Sequence, residues 1–397
     1  MKRVVCFLTL LAPGVLFAQS SLSDAERQVR LEDLGRALFF DVNLSRDRTQ
    51  SCATCHDPAR AFTDWRDNGV AAAASMGDDL KSIGDRNAPT ASYARFSPPF
   101  HRDEAGEYVG GQFWDGRAAT LEEQAGGPPL NPIEMGQPDQ IAVVARLKEN
   151  PAYNHEFPAL FGDGVFDDAE KAYAALGEAI AAFERTDFFS PFDSKYDRYL
   201  RGEYEPTEQE LLGMTLFFSN QFTNCNQCHQ LQQLPEAQNE TFTNYTFQNI
   251  GVPVNRKLRE VNGMGETHVD LGLAQNPLTA DDPSARGRFK VPTLRNVAIT
   301  APYMHNGVFQ DLRTVVLFYN KYLARGSKAQ INPETGEPWG EPEVAENLAL
   351  EKLQFGRALD ERGIDALVAF MRMLTDKRYE AVLEAQDAAQ AKALTSE

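Results

Sequence analysis

Two pentapeptides constrain this chain more than any other feature: Cys52-Ala53-Thr54-Cys55-His56 and Cys225-Asn226-Gln227-Cys228-His229. They hold four of the five cysteines and two of the six histidines. Thiols at i and i+3 reach the two vinyl groups of one haem from a single helical turn, and the adjacent imidazole then meets the iron. A zinc knuckle would need further ligands at matching spacing. A thioredoxin-like pair would want a βαβ context and no following histidine. The motifs therefore predict two covalent c-type haems, attached through Cys52, Cys55, Cys225 and Cys228, with His56 and His229 as iron ligands.

The fifth cysteine, Cys6, falls in a stretch that reads as a signal peptide over residues 1–18. Lys2 and Arg3 form its positive end, Val4 to Phe17 its apolar run, and Ala18 its small-residue cleavage position. The apolar run is shorter than the ~20 residues of a spanning helix, so no membrane anchor is expected. Export to the periplasm is. With 39 basic against 57 acidic side chains the net charge is −18. So acidic a surface argues against nucleic acid as a partner, which needs a basic face. At 42% hydrophobic the chain is too apolar to be disordered, and its 397 residues suit two domains.

The pattern is mainly α, with long irregular loops and little β. Ser23 and Glu26 form a capping box before Leu31, Leu34 and Leu38 at helical spacing. Tyr173, Leu176, Ile180 and Phe183 mark a helix closing the first half. Thr207 and Glu210 cap another, with Leu211, Met214 and Phe218 on one stripe. Ile364, Leu367, Met371 and Leu374 mark a late helix. Each half thus runs from a capped helix into a haem motif, which predicts two cytochrome-c-like haem domains, residues 19–190 and 205–376. Residues Thr241 to Ile250 alternate and predict the one short hairpin. The tail, 377–397, reads as an exposed helix or frayed end.

On several blocks the chain resembles the bacterial di-haem cytochrome c peroxidase family, and within it the MauG-type branch. They include Leu34-Gly35-Arg36-Ala37-Leu38-Phe39-Phe40-Asp41, Arg86-Asn87-Ala88-Pro89-Thr90 and Phe113-Trp114-Asp115-Gly116-Arg117. Others are Asn131-Pro132-Ile133-Glu134-Met135-Gly136, Phe289-Lys290-Val291-Pro292-Thr293-Leu294-Arg295-Asn296 and Thr300-Ala301-Pro302-Tyr303-Met304-His305-Asn306-Gly307. The resemblance implies that the His56 haem is peroxidatic, with Glu134 as distal acid/base and Gln124 as the amide that orients peroxide. It also implies an inter-haem role for Trp114, and a calcium ion between the domains on Asn87 and the backbone carbonyls of Thr300 and Pro302.

Two departures from the commoner peroxidases point to the MauG-type branch. Fourteen residues after His305, where they carry methionine, stands Tyr319. A thioether favours ferrous iron, whereas a phenolate favours ferric and higher states. Met304, Met264 and His268 are the alternative ligands, with Tyr319 then packed in the core. The second departure is Ala72, which stands where gated peroxidases keep a histidine that blocks the first haem. Pro128 occupies the distal loop, as in that branch. His305 is expected to support the site rather than ligate, and His101, His155 and His268 to lie at surfaces or satisfy loop hydrogen bonds.

Three readings follow. In the first, the protein reduces H2O2 at an open haem and draws electrons through the second haem from a small c-type cytochrome or a cupredoxin. In the second, a MauG-like bis-ferryl state modifies Trp or Tyr of a partner protein. The third is a di-haem electron carrier without catalysis, against which the Glu134/Gln124 pair and the unblocked first haem argue.

Overall fold

Ser23 opens the described chain by accepting from the Glu26 amide while the Glu26 carboxylate accepts from the Ser23 amide, so the first helix starts where the capping box requires. The computed structural model describes residues 23–232 and 237–395. The segment read as a signal peptide lies outside them. The first half contains α1 (Asp24–Phe39), α2 (Cys52–Cys55), α3 (Leu121–Ala125), α4 (Gln140–Lys148), α5 (Pro151–Phe161) and α6 (Ala169–Glu184). The second contains α7 (Lys195–Leu200), α8 (Glu208–Phe217), α9 (Arg256–Val261), α10 (Leu312–Asn320), α11 (Leu350–Leu353), α12 (Glu361–Met373) and α13 (Glu380–Thr395). The fold is mainly α, and long loops join the helices. Among the described residues no helix is long and apolar enough to cross a membrane.

Each half has its own core, built around one close helix crossing. In the first half α1 packs on α6; in the second α8 packs on α12. Both crossings need glycine. A Cβ on Gly35 would lie 1.8 Å from the Ala179 carbonyl oxygen, and one on Gly213 1.8 Å from that of Ala366. Phe183 and Phe370 sit beside these glycines in the same way. The sequences repeat too: Leu34-Gly35-Arg36-Ala37-Leu38-Phe39-Phe40 answers Leu212-Gly213-Met214-Thr215-Leu216-Phe217-Phe218. Ala179-Ile180-Ala181-Ala182-Phe183-Glu184-Arg185 answers Ala366-Leu367-Val368-Ala369-Phe370-Met371-Arg372. One helix pair has thus been used twice.

The structure corrects two details of the sequence reading and refines a third. The stretch 241–250 is not a hairpin. Phe242 and Tyr245 have φ of 54° and 57°, which interrupts any strand. Only β3 (Phe247–Gln248) forms there, pairing antiparallel with the distant β4 (Phe289–Lys290). The hairpin-like pair is β1 (His101–Arg102) with β2 (Tyr108–Val109). On α8 the buried stripe is Glu210, Gly213, Met214 and Phe217, and Leu211 faces outward. The tail forms an exposed helix, α13, as one of the two expectations had it, and it is docked where it begins. Tyr379 and Leu383 are buried against Ala61 and Ile299, and the Tyr379 hydroxyl donates to the Pro58 carbonyl at 2.8 Å.

Buried ion pairs join the halves. Arg86 reaches both Asp115 and Asp270 at 2.7 Å, and Asp270 is held well below the usual carboxylate range despite its burial. The Tyr93 hydroxyl donates to Asp376 at 2.6 Å.

Candidate haem sites

Both motifs present their histidine in one way. The His56 amide donates to the Cys52 carbonyl and the His229 amide to the Cys225 carbonyl, each at 2.9 Å. Each ring is then fixed through Nδ1, His56 on the Phe62 carbonyl at 3.0 Å and His229 on the Phe242 carbonyl at 3.3 Å. A carbonyl only accepts, so Nδ1 carries the proton and Nε2 keeps its lone pair for a metal. Burial lowers both imidazoles, His229 to about 4, which keeps them neutral and able to ligate. None of Cys52, Cys55, Cys225 and Cys228 forms a disulfide. Burial pushes the Cys52 thiol up to about 12 and the Cys55 thiol to about 11, as an apolar slot for a macrocycle would.

The second motif opens onto an apolar cavity of about 250 Å3. Cys225, Cys228 and His229 line it, and so do Tyr319, Met304 and Trp114. The residues present fit a c-type haem: two thiols and an imidazole on one side, aliphatic walls around. Polar groups at its margin fit as well. His305 Nε2 and Glu343 Oε2 are buried 4.0 Å apart, neither has a hydrogen-bond partner among the described residues, and both residues line the cavity. A haem carboxylate would give the imidazole an acceptor. His305 is stacked on Phe289 at 3.6 Å, and burial lowers it to about 3. The sequence reading gave His305 only a supporting place and missed Glu343, which lies in a loop without a motif.

Of the four candidate sixth ligands, Tyr319 and Met304 line this cavity; Met264 and His268 do not. Met264 instead accepts from Arg259. The Tyr319 hydroxyl makes no hydrogen bond to any described residue, and it lies near the Cys225 and Cys228 thiols. Helix α10 delivers it, with Phe318 on the core side.

The first motif faces Glu134. The carboxylate is close enough to Cys52 and Cys55 to affect both thiols. Its Oε1 accepts from the Asn131 amide at 2.7 Å. Burial raises it above the usual range, with Arg117 and the Asn131 hydrogen bond opposing. Pro128 shapes this loop: its carbonyl accepts from Asn131 and Met135, each at 3.2 Å. Gln124 lies one turn before it on α3, half-buried, with no side-chain hydrogen bond to a described residue. Ala72 is buried in a loop at the junction, beside Ala73 in contact with Gly307, and brings no ligating atom.

Trp114 lines the cavity of the second motif, and Arg117, three residues on, acts on Glu134 at the first. The Trp114 indole donates to the Asn87 carbonyl at 2.8 Å, and the Asn87 amide to the His305 carbonyl at 2.7 Å. Asn87 therefore adjoins the block that contains Thr300 and Pro302. Among the described residues no cluster of three or more His, Cys, Asp or Glu could hold a metal ion. Of the three histidines left over, His101 and His155 are exposed and His268 is half-buried.

Residues 30–205 match the sequence profile of the di-haem cytochrome c peroxidases. The methylamine utilization protein MauG of Paracoccus denitrificans (strain Pd 1222) is 55% identical over 392 residues, 98% of this chain and 100% of that protein. The cytochrome c551 peroxidase of Nitrosomonas europaea is 31% identical, covering 79% of this chain and 83% of that one. Among solved structures, the di-haem peroxidase BthA of Burkholderia thailandensis E264 superposes with a TM-score of 0.78 at 33% identity. The match covers 88% of this chain and 86% of that one.

Proposed function

The chain belongs to the di-haem cytochrome c peroxidase family, and from that premise we propose that its His56 haem is open to hydrogen peroxide while Tyr319 closes the His229 haem. The protein is a di-haem oxidoreductase of the peroxidase/MauG type. The haems, when bound, supply iron that takes oxidising equivalents from peroxide and holds them. Everything else is the work of side chains. Glu134 takes a proton from the near oxygen of peroxide and returns it to the leaving oxygen, and burial favours the protonated form it must pass through. Asn131 fixes the carboxylate, and the Gln124 amide orients the peroxide. Trp114 serves as the stepping stone between the sites.

One observation carries the reading: Tyr319 shares a cavity with Cys225, Cys228 and His229, and its hydroxyl makes no hydrogen bond to any described residue. The electrons come from a protein partner, a small c-type cytochrome or a cupredoxin, and the products are water and oxidised donor. A second version, in which the partner's own Trp or Tyr is oxidised, is favoured by Tyr319, by Ala72 and by the full-length match to a MauG protein. We place the enzyme in the periplasm, with calcium on Asn87 and the carbonyls of Thr300 and Pro302.

Electron paramagnetic resonance of the ferric holoenzyme tests the ligand assignment. The expected spectrum has one high-spin and one low-spin haem, and Tyr319→Phe converts the low-spin signal while Met304→Leu leaves it. The reverse pattern would give the iron to Met304.

A further inference from the structure

Glu184 is the last residue of α6 and its carboxylate is buried, the residue being 6% exposed. Its side chain makes no hydrogen bond or ion pair with any described residue. Its neighbour Arg185 is turned to Glu122 instead, at 2.7 Å. Such a group is costly to bury as an anion, and nothing in the peroxide chemistry above employs it.

The internal repeat says where it points. The register that matches Ala179 to Ala366 and Phe183 to Phe370 matches Glu184 to Met371. Met371 lines the cavity of the His229 site. By the same packing Glu184 belongs to the wall of the His56 site. Independently, Glu184 is close enough to Cys52 to disturb its thiol, and Cys52 packs against the core that α6 helps to form. One half thus sets a thioether against its haem where the other sets a carboxyl.

We propose that Glu184 is a positioning residue that couples the His56 haem to a proton, binding one when that iron is reduced and releasing it when the iron is oxidised. One electron from the reductant enters the iron as one proton from solvent joins the carboxylate; on oxidation both leave. The local net charge then stays constant in a site that screens charge poorly. Burial pushes this carboxyl up to about 8, with Arg185 opposing and Glu122 adding. A shift of this size brings its titration into the working range. The groups that face it are Cys52 from α2, Glu122 from α3 and Arg185 on its own helix; α1 brings Gly35 and Phe39, neither of which titrates. At the equivalent place the second haem has Met371, whose thioether does not titrate.

The test is a spectroelectrochemical titration of the holoenzyme from about pH 5 to about 9, a range that spans the shifted carboxyl. In the parent, the His56 haem potential falls as pH rises, approaching about 59 mV for each tenfold drop in proton activity, the one-electron limit. Glu184→Gln abolishes that slope. So does Glu184→Met, which installs the side chain the other half already accommodates and guards against a folding defect of the first variant. A slope that survives in both folded variants overturns the proposal. The inference rests on a haem at His56, not on that haem meeting peroxide. A haem that ignores peroxide yet loses its slope in Glu184→Gln would refute the functional reading and leave this one standing.

Discussion

The indole nitrogen of Trp114 donates to the backbone carbonyl of Asn87 at 2.8 Å. Asn87 is also the one side chain proposed to hold calcium, so the proposed ion and the tryptophan proposed to link the haems share a residue. Removing calcium with a chelator is expected to slow electron exchange between the haems about tenfold, the lower end for lost support around a metal site. Added calcium restores it. Asn87→Ala reproduces the slow rate without chelator, and a rate indifferent to both would detach calcium from Trp114. Flash-induced or stopped-flow electron transfer gives the rate directly.

Tyr319→Met replaces a hard anionic oxygen by a soft neutral sulfur. The potential of the His229 haem is expected to rise by a sizeable part of the ~0.8 V span that axial ligands command. A redox titration of the variant reads it, and an unchanged potential would mean that Tyr319 is not bound to iron.

The two helix crossings allow no side chain at Gly35 or Gly213. Each carbonyl that a new Cβ would meet belongs to the facing helix's own backbone and can give way only if the helices part. Gly35→Ala and Gly213→Ala are each expected to cost ~3 kcal/mol or more, the upper end for overpacking. Thermal unfolding of the holoenzymes measures the loss. Gly69→Ala serves as comparison, since no atom lies within 4 Å of its added Cβ and only its φ of +74° is strained.

Much of this architecture was legible because it is local. A haem motif must be contiguous for both thiols and the imidazole to meet one macrocycle, and a capping box needs only four residues. Tyr319 could be singled out from its distance to His305 in the resembling block. What the sequence hid depends on distant partners. The alternation in 241–250 reflects Phe242 and Phe247 reaching the core, not pairing with a neighbouring strand. In the tail, Tyr379, Val382 and Leu383 make the contacts, in a run otherwise mostly of alanine and polar side chains. The Glu184–Met371 correspondence escaped because the repeat differs in residue type at the very position that matters. The His305–Glu343 pair escaped because its members stand 38 positions apart, with α10 and a long loop between them.

Asp376 gives the junction between the halves a pH dependence. It accepts from Tyr93 at 2.6 Å and Asn296 at 2.8 Å, and burial raises it from 3.8 to about 6. The folded chain therefore holds this proton over a range where the unfolded chain has released it. The contribution is fully present below about pH 4 and is lost as pH rises through about 6, roughly 3 kcal/mol at 1.36 kcal/mol per unit. Asp376→Asn, whose amide sets a donor against Asn296, starts less stable at low pH. The gap is then expected to narrow by about that amount as pH rises. Denaturant unfolding of both proteins at several pH values follows it, and parallel curves would contradict the assignment.

The central claim is that peroxide reaches the His56 haem without prior reduction of the other, and that both haems then share the oxidising equivalents. Stopped-flow absorption of the fully ferric protein with one equivalent of H2O2 and no reductant tests it most directly. The account predicts that the bands of both haems shift within the first moments and that the oxidised state persists. Glu134→Gln should slow that shift by about 10²–10⁴, the usual worth of a positioned acid/base. No reaction until the His229 haem has been reduced would contradict the account and make this a gated peroxidase.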